Sequence, residues 1–254
     1  MLAAIALLLA VIGALVVLRS SGKQERAQDA GGGALDVSSA TRNRSTDEAP
    51  GLPPCRYGGE PAPDSSYGAW RSTILDTTFR LPSTYEPPDL VPVRRAGFPG
   101  TQTARAFVMP DLAALRRAAE AAGNPIDIIW GYRSFTTQQS VFQRSVDLKG
   151  YDRAVLSAAR PGHSEHQLGT VFDFKTLGAA NVYRTWESEP AGAWVAQNAW
   201  RYGFVMSYPR GSEPETCYEY EPWHYRYLGR DLAAEVHSSG LTIREYLWAD
   251  RAEP

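Results

Sequence analysis

From Ala3 to Leu18 every residue except Gly13 is apolar, whereas from position 19 to about 54 large apolar side chains almost vanish. The first run has the length of a short membrane span or of a signal-peptide core. No Ala-x-Ala cleavage pattern follows it closely and no cysteine offers a lipid attachment point, so residues 1–18 read as a membrane anchor in preference to a removed signal. Arg19, Lys23 and Arg26 follow the run and nothing positive precedes it, an order opposed to an outward-facing C-terminal side. An upstream start carrying basic residues would remove that conflict. Residues 19–54, rich in Gly, Ser, Asp, Arg and Pro, cannot bury enough surface to offset their ordering entropy and read as a flexible linker. The folded domain is expected over 55–254.

Within it, Pro110 to Ala122 carries Leu112, Leu115 and Ala119 on one helical face, with Pro110 and Asp111 suited to the first turn and Gly123 to the stop. Ile126–Arg133 predicts a buried strand, and Thr137 to about Leu148 a helix capped near Ser134 or Thr136. Strands are predicted at Thr170–Lys175, Phe204–Tyr208 and Trp223–Leu228. Helical spacing recurs at Ala191–Tyr202, Arg230–His237 and Ile243–Trp248. Helices and strands mix without regular alternation, which predicts an α+β fold with a central, mostly antiparallel sheet flanked by helices.

Composition narrows the classes of function. Against 28 acidic residues stand 26 basic ones, giving a net charge of −2, and no long basic run occurs. Nothing therefore points to a nucleic-acid partner. The two cysteines, Cys55 and Cys217, form an even pair that in an exported chain invites a disulfide, against the alternative of two free thiols.

The chemistry concentrates in two segments. In the first, Pro161 to Asp173, His166 closes a Gly- and Ser-containing loop and Asp173 lies in the following strand. Phe172 and Phe174 flank Asp173 and alternate to the opposite, core face, so the carboxylate needs a charged partner, either a metal ion or an arginine. The second, Tyr220 to Leu228, holds Glu221 and His224 around Pro222 and Trp223. Positions i and i+3 of a regular strand face opposite ways, but a proline bend turns both toward one site. Two imidazoles and a carboxylate make a three-ligand zinc set with a fourth position open, and a nearby glutamate supplies a base. His-Glu-x-x-His does not occur, and His163, which makes a His-x-x-His with His166, is not assigned as a ligand.

From Thr78 to Leu228 the sequence resembles the VanY-like D-alanyl-D-alanine carboxypeptidases, zinc peptidases related to lysostaphin-type enzymes and to the Hedgehog signalling domain. The resemblance runs through Leu81-Pro-x-x-Tyr-x-Pro-x-Asp-Leu-Val-Pro-Val93, Gly131-Tyr-Arg-Ser134 with Gln138, and Pro161-Gly-x-Ser-x-His-x-x-Gly-x-x-x-Asp173. It continues through Tyr202-Gly-Phe204 and Glu221-Pro-Trp-His-Tyr-Arg-Tyr-Leu-Gly229. It implies one zinc ion on His166, Asp173 and His224, with Glu221 as catalytic base. Arg133 is implied to stabilise the oxyanion or hold substrate, and Gln138 and Ser164 to lie near the substrate's terminal carboxylate. The implied substrate is a peptidoglycan stem peptide losing its terminal D-alanine, outside the membrane, by a monomer that is anchored or, if the N-terminal segment is cleaved, secreted. Alternatives are an L,D-carboxypeptidase or a peptidoglycan endopeptidase, and a non-catalytic cell-wall binding module on the same scaffold. Trp130, Ser207 and His163 depart from the family pattern without touching the ligand set.

Overall fold

A computed structural model describes residues 51–180 and 184–251. The expected anchor, 1–18, and most of the expected linker, 19–54, lie outside the described residues. Among the described residues no helix is long and apolar enough to cross a membrane.

The centre of the domain is a four-stranded sheet. Its strands are β1 (Ile126–Trp130), β2 (Val171–Thr176), β3 (Phe204–Met206) and β4 (His224–Tyr227), in the order β1-β2-β4-β3. Every neighbouring pair is antiparallel. Helix α1 (Met109–Ala121) buries Leu112, Leu115 and Ala119, the face predicted by their spacing. The side chain of Ser134 caps α2 (Phe135–Lys149) by accepting from the Thr137 amide. A short α3 (Tyr151–Ser157), not foreseen from the sequence, packs back on α2. The segment expected as one helix over Ala191–Tyr202 is α4 (Pro190–Asn198) followed by a tighter 3₁₀ turn, Ala199–Tyr202. Helices α5 (Arg230–Ser239) and α6 (Ile243–Asp250) end the described chain, and Thr242 and Glu245 form a reciprocal cap at the start of α6.

Alternation along the strands divides the sheet into an apolar face and a polar one. Phe172 and Phe174 of β2 are fully buried and meet Phe204 of β3 edge-on, at centroid distances of 5.8 and 6.1 Å. Tyr225 and Tyr227 of β4, Val195 of α4 and the apolar face of α1 complete this core. Each phenylalanine so removed from water contributes roughly 1.5–3 kcal/mol. The intervening residues, Asp173, His224 and Arg226, stand on the other face.

The strand expected over Ile126–Arg133 ends at Trp130. A register irregularity lies between Ile128 and Trp130, after which the chain leaves the sheet. At Gly131 a Cβ would lie 2.4 Å from the Thr103 carbonyl oxygen, so only glycine fits there. The Tyr132 amide then donates to that carbonyl and the Arg133 amide to the His166 carbonyl. Those backbone bonds, not a sheet ladder, set the position of Arg133.

The N-terminal end of the described chain is fastened twice. Cys55 is bonded to Cys217, 162 residues away. Buried Arg244 donates to the Asp76 carboxylate at 2.7 Å and to the carbonyls of Glu215 and Pro53 at 2.8 and 2.9 Å.

Candidate metal centre and active site

The site is assembled from three pieces of chain. Asp173 of β2 and His224 of β4 are register partners across the sheet. His166 arrives from a 3₁₀ turn, Glu165–Leu168, that precedes β2. Their ligand atoms all lie within 4.8 Å of one another, and all three residues are buried. Asp173 Oδ1 sits 3.2 Å from His166 Nε2 and 3.2 Å from His224 Nδ1. The two imidazoles meet edge-on at 4.9 Å.

Glu221 joins them through a tight turn. The His224 amide donates to the Glu221 carbonyl across Pro222 and Trp223, which turns the glutamate back toward the histidine. Its Oε2 lies 3.5 Å from His224 Nδ1. The bend expected from Pro222 is therefore the device that brings i and i+3 to one place.

The donor set suits a cation. His166 Nδ1 donates to the Gly131 carbonyl at 2.7 Å, which leaves Nε2 as a bare acceptor. That Nε2 and Asp173 Oδ1 are buried and, despite their closeness, make no hydrogen bond among the described residues. Two such atoms converging on the same space as His224 Nδ1 are what a divalent ion with tetrahedral N/O preference needs.

Electrostatics agree. Burial acts to raise the Asp173 carboxyl, but the two imidazoles beside it, His166 and His224, outweigh it and hold it well below the usual carboxylate range. Burial and the Arg133 guanidinium press His166 down to about 4, so it is neutral and ready to ligate. His224 is desolvated too, yet its bonds to Asp173 and Glu165 dominate and raise it to about 10. Burial lifts Glu221 to about 7, with Asp173 adding to the rise and His224 opposing it. A carboxyl poised there can accept and return a proton near neutral pH.

A cavity of about 150 Å³ opens beside this cluster, bounded by Trp130, Arg133, Gln138, Ser164, Tyr208 and Glu221 among others. The Arg133 guanidinium carbon stands 5.3 Å above the Trp130 ring. Its Nε is buried without a hydrogen bond among the described residues, which leaves a donor beside the cavity for an anionic oxygen. Desolvation pulls the Arg133 pKa down, opposed by Asp173 and Glu221. Gln138, in α2, is buried and donates Nε2 to the Ala159 carbonyl at 2.7 Å. Its Oε1 has no partner among the described residues. Ser164 stands at the start of the 3₁₀ turn but makes no side-chain cap bond, and it borders the cavity.

His163 lies apart from the cluster, with Nδ1 donating to the Asp76 carbonyl at 2.8 Å. Cys217 is held in the disulfide and is no ligand. Glu165 and Arg226 were not singled out from the sequence. Glu165 contacts His224 Nε2 and Arg226 at 3.0 Å each. Arg226 follows His224 by two in a strand, so its sharing of that face was legible; the reach of Glu165 from a loop was not.

The VanY family profile, described as D-alanyl-D-alanine carboxypeptidase, matches residues 102–230. A putative carboxypeptidase, YodJ, of Bacillus subtilis (strain 168) is 36% identical over 178 residues, covering 68% of this chain and 65% of that protein. A D-alanyl-D-alanine carboxypeptidase of Enterococcus faecalis is 35% identical over 153 residues, covering 55% of this chain and 54% of its own length. This chain thus spans less than two thirds of both relatives. Among solved structures, the LD-carboxypeptidase LdcB superposes with a TM-score of 0.65 at 31% identity, over 75% of this chain and 97% of its own. A vancomycin-resistance D,D-pentapeptidase solved with Zn(II) gives 0.60 at 29% identity, over 70% and 99%.

Proposed function

The chain belongs to the VanY family of D-alanyl-D-alanine carboxypeptidases, and from that premise we propose that it is a zinc-dependent hydrolase removing the terminal D-alanine of peptidoglycan stem peptides. The observation that carries the reading is the convergence of His166, Asp173 and His224 with Glu221 at the head of one cavity. His166, Asp173 and His224 would hold the zinc ion, which when bound would supply Lewis-acid polarisation of a carbonyl and acidify a water.

The remaining steps belong to the chain's own groups. Glu221, raised to about 7 mainly by burial, takes a proton from the attacking water and returns it to the leaving amine. Arg133, braced over Trp130, offers a fixed fork to the oxygen that gains charge or to the terminal carboxylate. Burial of the cluster keeps bulk water away, which strengthens each of these interactions. A binding module has no use for a proton acceptor beside its metal, so Glu221 favours the enzyme. We further propose that the domain works outside the membrane as a monomer, held by residues 1–18 or released if that segment is cleaved.

A second reading, L,D-carboxypeptidase activity, draws support from the LdcB likeness and from an L,D-carboxypeptidase, DacB, of Streptococcus pneumoniae at 34% identity and a TM-score of 0.55. Purified stem pentapeptide and tetrapeptide, incubated separately and read by mass spectrometry, separate the two. Loss of one D-alanine from the pentapeptide supports the first reading. Loss from the tetrapeptide alone supports the second, and a cut inside the stem opposes both.

A further inference from the structure

The two candidate histidine ligands reach the centre through different ring nitrogens. His166 donates Nδ1 to a backbone carbonyl and presents Nε2. His224 is turned the other way, with Nδ1 toward Asp173 and Nε2 toward Glu165 Oε2 at 3.0 Å. Once Nδ1 is given to a metal, the ring's one proton belongs on Nε2, and the Glu165 carboxylate, which can only accept, stands where it receives that N–H.

Glu165 is itself fixed. It is 4% exposed, and its other oxygen, Oε1, takes a bond from Arg226 Nη1 at 3.0 Å. Arg226, 1% exposed, is anchored by its Nη2, which donates to the carbonyls of Trp70, Arg71 and Thr73 at 2.8, 3.1 and 2.8 Å. Three backbone carbonyls thus hold an arginine, the arginine holds a carboxylate, and the carboxylate holds the ring. A carboxylate serving only to neutralise Arg226 could spend both oxygens on the guanidinium; here it divides them.

We propose that Glu165 is a positioning residue for the metal centre, locking His224 as the Nε2–H form so that Nδ1 is delivered to the metal. The inference rests on the zinc reading of the site. An outer carboxylate of this kind raises imidazole basicity and fixes the ring, and its loss commonly costs 10- to 100-fold in metal affinity.

The test compares wild type, Glu165→Gln and Glu165→Met. Zinc affinity is measured by chelator competition, and kcat and KM on stem pentapeptide are measured for the zinc-loaded proteins. Glutamine keeps an oxygen that accepts from Nε2–H, and methionine keeps only the volume. Glu165→Met is expected to weaken zinc binding about 10- to 100-fold and to lower kcat more than it changes KM, while Glu165→Gln recovers most of the affinity. Zinc affinity of Glu165→Met within threefold of wild type overturns the inference, as does a Gln variant as impaired as the Met variant. Should Glu165→Met fail to fold, histidine ¹⁵N–¹H correlation spectra of zinc-loaded wild type decide. A His224 proton on Nε2, protected from exchange in wild type and in Glu165→Gln alike, supports the inference, and a proton on Nδ1 or an unprotected Nε2 proton in wild type overturns it. If wild type itself takes up no zinc, the zinc reading falls and this inference with it. Normal zinc binding by wild type with indifferent Glu165 variants overturns the inference alone.

Discussion

Asp173 and His224 face each other as register partners on adjacent antiparallel strands, with Asp173 Oδ1 3.2 Å from His224 Nδ1. The sheet register sets this pairing. Its carboxylate touches both imidazoles, so Asp173→Asn removes the one negative group they share. The variant should lose more than about 100-fold in zinc affinity, beyond the range typical of outer-shell changes. Chelator competition on the purified proteins checks this, and near-normal affinity would remove Asp173 from the ligand set.

Trp130 supports Arg133 from below, at 5.3 Å from ring centroid to guanidinium carbon. Contacts of this kind are worth about 0.5–2 kcal/mol, or roughly two- to thirtyfold in a rate or binding constant. Trp130→Ala should lower kcat/KM on stem peptide by that factor without releasing zinc. An unchanged kcat/KM means that Arg133 needs no such brace.

His163 makes an acid-sensitive contribution to stability. Burial, aided by Arg160, lowers its pKa from 6.5 to about 4, against the pull of its bond to Asp76. Between those values the unfolded chain binds the proton and the folded one does not. The contribution is therefore complete above pH 6.5 and fades as pH falls toward 4, by up to about 3 kcal/mol. Urea unfolding of metal-free wild type and His163→Gln across this range should show the steeper acid loss in wild type. Parallel curves would contradict it.

The Cys55–Cys217 bond closes 162 residues of chain, for which the loop-entropy account gives roughly 4–5 kcal/mol as an upper figure. Cys217 also stands four residues before Glu221, and Tyr218 between them borders the cavity. The Cys55→Ser/Cys217→Ser double variant should lower the thermal midpoint and weaken turnover together. Thermal unfolding and a peptide assay at the same temperature check both effects.

Much of this was legible in the chain because strand alternation is a hard rule. Phe172 and Phe174 around Asp173 announced a core face and a lone carboxylate opposite it, and the sheet places them so. Pro222 announced the bend that returns Glu221 to His224. Arg133 was expected in a strand, yet a backbone approach at Gly131 decides its place, and sequence pattern carries no trace of the Thr103 carbonyl. Glu165 escaped for a related reason. Its partners, His224 and Arg226, lie 59 and 61 residues away, and nothing periodic links a loop carboxylate to them. Helix α3 was missed because its seven residues are too few for a periodic signal.

The proposed hydrolysis turns on Glu221, whose Oε2 lies 3.5 Å from His224 Nδ1 and whose carboxyl is poised at about 7. The most direct measurement is the turnover number of Glu221→Gln at full zinc occupancy on stem peptide. A fall of about 10²- to 10⁴-fold with zinc still bound is the predicted result. Turnover within a few-fold of wild type, with zinc bound, would show that Glu221 is not the catalytic base.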